Sequence, residues 1–214
     1  MIGDVIMTHG DDQGLVLPPR LAPYQVVIVP IGRGAEADDV AQAADQLADG
    51  LRRAGIRVHV DDRPQLSPGY KFNDWELRGV PLRLELGPRD LSAGSALLAR
   101  RLIEGKEPIT LDSAPETLAA LLPEFQDFLL RRATEFRDGH LLTVNSWAEF
   151  KEAVSTGWGR ALHCGNPACE DEIKAETTAT PRCIPFDGEA ESGECVRCGQ
   201  PSAYDKRVVF GRAY

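Results

Sequence analysis

Four cysteines near the end of the chain have the spacing of a metal site. Cys164 and Cys169 form one pair, Cys195 and Cys198 form a second, and 25 residues lie between the pairs. Two short loops of this kind can supply four thiolates to a tetrahedral Zn²⁺ at about 2.3 Å. Four filled positions leave none for water, so the pattern predicts a structural zinc ion. A C-x-x-C thiol–disulfide site, and paired loops that hold no metal, are the alternatives.

The other candidate ligands lie outside this set. Cys183 belongs to neither pair and is expected to be a small buried apolar side chain. His163 precedes the first pair and could replace one sulfur, although four sulfurs already complete a site. All 5 cysteines follow residue 160, and the odd number argues against a disulfide framework. A metal site of thiolates predicts a reducing compartment, which we take to be the cytoplasm.

Charge is distributed unevenly along the 214 residues. The net charge of −9 disfavours non-specific binding to DNA or RNA, because an acidic protein repels phosphate. Residues 51–106 reverse this balance, with eleven Arg or Lys against seven Asp or Glu. This basic segment is either a docking site for an anionic partner or a solvated charged face. No apolar run approaches the roughly 20 residues that span a membrane, so no membrane partner is expected.

The elements that carry these residues follow from periodicity. A continuous β-branched run at 25–31, a helix at 36–54 and an alternating segment at 56–60 give a β-α-β unit with parallel strands. A short helix at 69–77 and strands at 82–86, 96–102 and 108–110 extend it. A long apolar stripe then predicts a helix that starts near Ser113, and Ser146 and Glu149 have the spacing of a capping box.

Three segments together resemble one protein family. Residues 67–91, SPGYKFNDWELRGVPLRLELGPRDL, look like the anticodon-binding domain of prolyl-tRNA synthetase of the archaeal and eukaryote-like group. Residues 7–19, MTHGDDQGLVLPP, resemble the end of its class II catalytic domain. The four-cysteine region and the ending Phe210-Gly-Arg-Ala-Tyr214 are similar to its C-terminal zinc domain. The implied fold is α/β: a mixed-sheet class IIa anticodon-binding domain followed by a small α+β zinc-binding domain.

The resemblance also predicts the domain limits and what the chain lacks. A remnant of the catalytic domain and a linker would occupy 1–22, the anticodon-binding domain 23–125 and the zinc-binding domain 126–214. The family's ATP-binding and proline-binding elements would lie before Met1, so the chain is expected to be an inactive fragment. ATP and Mg²⁺ would serve only the intact enzyme, which is expected to be a homodimer.

The implied partner is the anticodon stem-loop of tRNA-Pro, whose anticodon carries two adjacent guanines. Guanine edges offer acceptors to Arg or Lys and donors to Asp or Glu. By resemblance, the base contacts are assigned to Glu76, Arg83, Asp90 and Lys106. Phosphate contacts are assigned to two further residues, Lys71 and Arg89. For Glu76 and Arg83, the alternative is a surface ion pair between the two side chains. For Lys71, the alternative is that its aliphatic stem covers apolar surface.

Two residues acquire a catalytic role only through the resemblance. The carboxylate of Tyr214 is expected to reach toward the active site of the intact enzyme, and His9 to lie beside the substrate pocket. Simple packing of Tyr214, and a plain loop at His9, are the alternatives. The predicted function is therefore that of a proline–tRNA ligase. A stand-alone tRNA-binding module and a zinc-stabilised protein-interaction adaptor are the rival interpretations.

Overall fold

A computed structural model of the chain describes residues 2–32 and 34–213, and of Ala35 the backbone alone. The chain divides into two compact units, Met1–Ala133 and Thr134–Tyr214. The division falls inside one long helix, Ala114–His140, which continues past Pro123. The limits 23–125 and 126–214 remain a prediction about domains.

The first unit is built on a five-stranded sheet. Its elements are α1 (Ile2–His9), β1 (Val26–Pro30), α2 (Ala37–Arg53), β2 (Val58–Val60), α3 (Pro68–Leu77), β3 (Leu82–Leu86), α4 (Pro88–Ser92), β4 (Ser95–Arg100), β5 (Ile103–Thr110) and α5 (Ala114–His140). The strand order is β2-β1-β3-β4-β5. The first three strands pair in parallel, whereas β4 and β5 are antiparallel additions. The predicted mixed α/β architecture is confirmed.

The two faces of this sheet are covered to different extents. One face packs completely against α2 and α5 and forms the main core, which includes Val26, Ile28, Leu51, Leu84, Leu98 and Leu118. The other face packs against the ten-residue helix α3, where Val27 and Val29 contact Trp75. Because α3 is short and lies against β1, the part of this face formed by β3, β4 and β5 stays open.

Residues 10–22 are bound to the first unit by backbone hydrogen bonds. The N–H of Leu15 donates to the carbonyl oxygen of Leu77 at 3.0 Å, and the N–H of Leu17 donates to that of Gly79 at 3.1 Å. Gly79 has φ +73°, and a Cβ there would meet the Leu15 backbone at 2.5 Å. Glycine is therefore required at this contact. The segment predicted as a linker is an integral part of this unit.

The second unit contains a four-stranded sheet and two helices. Its elements after α5 are β6 (Leu141–Thr143), α6 (Trp147–Thr156), β7 (Trp158–Ala161), α7 (Pro167–Thr177), β8 (Ala179–Cys183) and β9 (Val208–Arg212). The strand order is β6-β7-β9-β8. Phe150, Ile173 and Phe210 are fully buried at its centre, and Cys169 and Cys195 belong to the same core.

Two local expectations in this unit have opposite outcomes. The capping box is confirmed: the Ser146 hydroxyl accepts from the N–H of Glu149, and the Glu149 carboxylate accepts from the N–H of Ser146. The expectation for Cys183 is wrong, because this cysteine is exposed. It lies at the end of β8, where the strand leaves the core.

Candidate nucleic-acid interface and metal centre

The open part of the first sheet forms a cleft of about 580 Å³. Glu76 reaches it from α3, Arg83 from β3 and Lys106 from β5. Three of the four residues assigned to base contacts are therefore brought together, although 30 positions separate the first from the last. The charged residues that line the cleft are balanced in sign: Asp11, Asp12, Glu76, Arg83, Arg100, Arg101, Glu104 and Lys106.

A buried carboxylate organises the two cations in this cleft. Glu85, only 3% exposed, lies two residues after Arg83 on the same face of β3. Its Oε1 accepts from Nε and Nη2 of Arg83 at 3.2 and 3.1 Å, and its Oε2 accepts from Nζ of Lys106 at 2.6 Å. Arg83 is therefore paired with Glu85, and the interpretation of an ion pair between Arg83 and Glu76 is wrong.

An aromatic ring completes this group of side chains. The Phe72 ring lies 4.5 Å from Cζ of Arg83 and 4.9 Å from Nζ of Lys106, measured to the ring centroid. Cations at such distances from an aromatic face are attracted by its quadrupole. Phe72 and Glu76 lie one helical turn apart on α3, so both can face the cleft.

The other residues assigned to RNA contacts lie outside the cleft. Asp90 accepts a hydrogen bond from the N–H of Gly87 at 2.9 Å and so caps the short helix α4. Arg89 is exposed on the same helix. Because α4 follows the C-terminal end of β3 and Arg83 lies near its start, neither residue joins Arg83. Their roles in binding RNA stay predictions.

Lys71 has an internal partner instead of a surface position. Its residue exposure is 5%, and its Nζ donates to the carbonyl oxygen of Asp61 at 2.8 Å. An ammonium group held in this way cannot contact a phosphate without leaving the core. The expectation of a phosphate contact at Lys71 is replaced by a structural role in anchoring α3.

Asp61 is the centre of that anchor. Its buried carboxylate accepts from Nε and Nη2 of Arg63 at 2.8 and 2.7 Å and from Nε1 of Trp75 at 2.8 Å. Burial alone raises the pKa of Asp61, but the hydrogen bonds from Arg63 and Trp75 outweigh it and lower the pKa to about 2. Because Lys71 and Trp75 lie on one side of α3, Asp61 fixes which side of the helix faces the cleft.

Of the two residues assigned to catalysis, the structure describes His9 alone. His9 ends α1, and its Nδ1 is buried without a hydrogen-bond partner in the part of the chain that the structure describes. Burial and the nearby Arg132 lower the pKa of His9. Tyr214 lies outside the described residues. Asp11, two residues after His9, pairs with the buried guanidinium of Arg101.

The four predicted metal ligands meet in the second unit. The sulfur of Cys169 lies 3.7 Å from that of Cys195, and the sulfur of Cys198 lies 3.6 Å from that of Cys164. A tetrahedron with metal–sulfur bonds of 2.3 Å has edges of roughly 3.8 Å. All of these cysteines are free thiols. The group therefore has the spacing of ligands around one ion and can hold a metal.

The local backbone favours an ionised sulfur at one position of this centre, Cys195. Burial opposes ionisation of Cys195, but backbone N–H groups of Cys198, Arg197 and Cys164 stabilise its thiolate and lower its pKa to about 7. At Cys169, burial and the neighbouring sulfurs raise the pKa. Close thiols cannot all ionise without a cation between them. A bound metal ion would supply that cation.

His163 lies close to the same sulfurs. Its ligand atom and those of Cys164, Cys169 and Cys195 all lie within 4.8 Å of one another. Its Nδ1 accepts from the N–H of Gly165 at 3.2 Å, and its Nε2 is buried with no partner among the described residues. Cys198 is not in this mutually close group, although its sulfur lies 3.6 Å from that of Cys164. The structure thus groups three sulfurs and the His163 nitrogen, with the sulfur of Cys198 beside them, and the choice of four sulfurs as ligands stays a prediction.

Sequence reasoning missed two residues that pack against the cations of the cleft and one residue of the anchor. Glu85 could have been found, because alternation places it on the same strand face as Arg83. Phe72 and Asp61 carried no comparable signal. Their roles depend on contacts between α3 and other elements.

Comparisons with known proteins define the class of each unit and then the family. Residues 25–121 match the family model described as an anticodon binding domain, and residues 147–214 match that described as prolyl-tRNA synthetase, C-terminal. The first unit therefore contains an anticodon-binding domain. With both matches in one chain, the chain belongs to the prolyl-tRNA synthetase family.

Similarity to curated proteins along the whole of this chain agrees with this assignment. The whole chain is 62% identical to Proline--tRNA ligase 2 of Rhodococcus jostii, 49% to the Proline--tRNA ligase of Deinococcus radiodurans, and 43% to the chloroplastic/mitochondrial Proline--tRNA ligase of Arabidopsis thaliana. It spans 45%, 44% and 40% of these relatives. The chain therefore spans less than half the length of the curated relatives it matches.

Among the described residues, no helix is long and apolar enough to cross a membrane.

Proposed function

We propose that this chain supplies anticodon recognition and a structural zinc domain to a proline–tRNA ligase, which attaches proline to tRNA-Pro at the expense of ATP. The observation that carries the proposal is the cleft, where a carboxylate and two cations from three separate elements converge beside an aromatic ring. Membership of the prolyl-tRNA synthetase family supports the choice of partner.

The chemistry of the cleft matches guanine. The Glu76 carboxylate can accept from the N1 and N2 donors of a guanine, and Arg83 and Lys106 can donate to O6 and N7. The Phe72 ring packs against both cations and so helps to hold them at the cleft. The balanced charge of the lining favours recognition of base edges over general attraction of phosphate, since attraction alone needs an excess of cations.

A zinc ion is the proposed occupant of the cysteine centre. Cys164, Cys169, Cys195 and Cys198 would hold it, and their spacing fits a tetrahedral ion whose coordination is filled by protein. The ion would stabilise the fold of the second unit and leave no position for a reacting water. ATP and Mg²⁺ are proposed cofactors of the intact ligase only.

The remaining roles rest on family membership. The proposed ligase is a cytoplasmic homodimer that acts in protein synthesis. In it, the Tyr214 carboxylate lies near the active site, and His9 lies beside the substrate pocket. Gel filtration and light scattering of the intact ligase test the homodimer. Extending it by one glycine after Tyr214 should reduce proline-dependent pyrophosphate exchange while leaving tRNA binding intact.

Binding to RNA tests the central proposal. The chain should bind an anticodon stem-loop of tRNA-Pro more tightly than the same stem-loop with both guanines changed to adenines. The Glu76→Gln variant should reduce this preference, because an amide presents a donor where guanine needs an acceptor. Glu104→Gln, a change at another lining carboxylate, serves as the matched control. Equal affinity for both stem-loops would refute anticodon recognition, and loss of all RNA affinity would favour a protein-interaction adaptor.

A further inference from the structure

Glu85 lies between the two cations that are proposed to read guanine. Its side chain is 4% exposed, compared with 16% for Arg83 and 40% for Lys106. A carboxylate so deeply buried is out of reach of an RNA in the cleft. Its two oxygens are divided between the partners, with Oε1 on Arg83 and Oε2 on Lys106.

The contacts of Arg83 leave one edge of its guanidinium available. Nε and one N–H of Nη2 form the side edge, which Glu85 occupies. The terminal edge, which Nη1 and Nη2 form together, is the edge that Glu85 does not occupy. Among the described residues, the Phe72 carbonyl oxygen at 3.5 Å is the hydrogen-bond partner of Nη1. A guanidinium edge is a planar pair of donors that matches the O6 and N7 acceptors of guanine.

We propose that Glu85 is a positioning residue that determines guanine specificity in the cleft. It holds Arg83 by the side edge so that the terminal edge is presented to the base, and it holds the Lys106 ammonium beside the same position. The inference rests on the proposed function, since it requires an RNA base in the cleft. Glu85 itself does not contact the RNA.

This role predicts that removing the charge of Glu85 has opposite effects on two quantities, the discrimination of guanine and the base-independent affinity for RNA. Without the negative charge of Glu85, Arg83 and Lys106 lose a fixed partner, so the terminal edge is no longer aligned and discrimination of guanine falls. The same change leaves more positive charge in the cleft, so affinity that does not depend on the base is kept or rises. A residue needed only for folding would lower both affinities together.

The experiment compares the 214-residue chain with its Glu85→Gln variant. The probes are two stem-loop RNAs of identical sequence, one with the two anticodon guanines and one with 7-deazaguanine at both positions, which removes the N7 acceptor. For the unchanged chain, the ratio of the two dissociation constants should be roughly tenfold or more. In Glu85→Gln the ratio should fall toward one, while affinity for the 7-deazaguanine RNA is kept or rises.

Glu107→Gln is the matched control. Glu107 is an exposed carboxylate on β5 that accepts from Arg100, so its loss should leave the ratio unchanged. Should Glu85→Gln fail to fold, Arg83→Lys replaces it, because lysine keeps the charge and lacks the fork. In Arg83→Lys, the ratio of the two dissociation constants should then fall toward one.

The outcomes distinguish failure of the positioning role of Glu85 from failure of the proposed anticodon recognition. A ratio that is unchanged in Glu85→Gln, or in Arg83→Lys where that variant is used, overturns the inference. Equal weakening of both RNAs also overturns it and assigns Glu85 to the fold. If the unchanged chain binds neither RNA, the proposed function itself fails.

Discussion

The cleft of the first unit and the cysteine centre of the second are assembled from different kinds of contact. In the cysteine centre, one short segment that runs into α7 carries Cys164 and Cys169, a second carries Cys195 and Cys198, and sulfurs of the two segments approach within 3.7 Å. In the cleft, each functional side chain comes from a different element, and its orientation depends on buried partners such as Glu85. The metal centre is therefore visible as a spacing of residues, whereas the cleft becomes visible only when the sheet is formed.

The difference also predicts how each region fails. A metal centre links its ligands through one ion, so the loss of one ligand weakens all of them together. The cleft is held by several separate hydrogen bonds and ion pairs, so single changes should cost a part of its function each.

The largest expected effect is the loss of a metal ligand. Cys198→Ser should remove the bound zinc and unfold the second unit, because apparent binding energies of structural zinc are about 10–16 kcal/mol. The first unit should stay folded. Metal analysis and limited proteolysis measure both outcomes.

Cys183→Ser is the control for this change, since Cys183 is exposed and lies outside the cluster. It should keep one zinc per chain. Well-folded protein that contains no zinc would contradict the proposed metal centre. Both regions would then be held by contacts between side chains and not by an ion.

A second change tests the anchor of α3. Asp61 has a pKa of about 2 in the folded chain and 3.8 as its ordinary value. Its ionised form therefore stabilises the fold fully above about pH 4, and this contribution of about 2 kcal/mol is lost as pH falls from 4 to 2. In Asp61→Asn, the free energy of unfolding should be lower at pH 7 and should fall less between pH 5 and pH 2.

Urea unfolding at several pH values measures this difference. Asp62→Asn is the control, because Asp62 is the exposed neighbour of Asp61, and it should stay within about 0.5 kcal/mol of the unchanged chain. An equal pH slope for Asp61→Asn and the unchanged chain would show that this carboxylate does not hold α3.

The third change removes a base contact from the cleft. Arg83→Ala should weaken binding of the cognate stem-loop by about 1–3 kcal/mol, a range taken from specific base contacts. Non-cognate stem-loops should be affected less, because they lack the guanine acceptors. Fluorescence anisotropy with both RNAs measures the difference. Unchanged cognate binding would remove Arg83 from the interface.

The smallest effect tests a contact that is entirely local. Ser146→Ala removes the N-cap of α6 and should lower the free energy of unfolding of the second unit by about 1 kcal/mol. Ser155→Ala, near the end of the same helix, should cost less, because its hydroxyl donates to the carbonyl oxygen of Glu152, which already lies within that helix. Thermal unfolding of the zinc-loaded chain compares them, and equal losses would contradict the capping role.

Local features of the fold were predictable because their causes are local. The β-branched run at Val26–Pro30 gave a buried strand, and the apolar spacing from Val40 to Leu51 gave the helix packed on it. Ser146 and Glu149 predicted the start of α6. In each case neighbouring residues determine the backbone, so periodicity and capping are sufficient.

The strand Leu82–Leu86 shows where such reasoning stops. Its strict alternation indicates a polar face, and a polar face of a sheet is ordinarily in water. Here Glu85 on that face is buried, with Arg83 of its own strand and Lys106 of β5 paired to its carboxylate. Alternation identifies which residues share a face but says nothing of what covers that face.

By itself, the sequence determined the β-α-β start of the first unit, the mixed α/β class and the spacing of the four cysteines, because these depend on periodicity and short spacing. Only the tertiary structure decided that Lys71 is an internal anchor, that Asp90 caps its own helix, and that Glu85 holds Arg83. These roles depend on which distant groups become neighbours. A charged side chain in a folded chain binds the partner that packing places beside it, and its residue type alone does not select that partner.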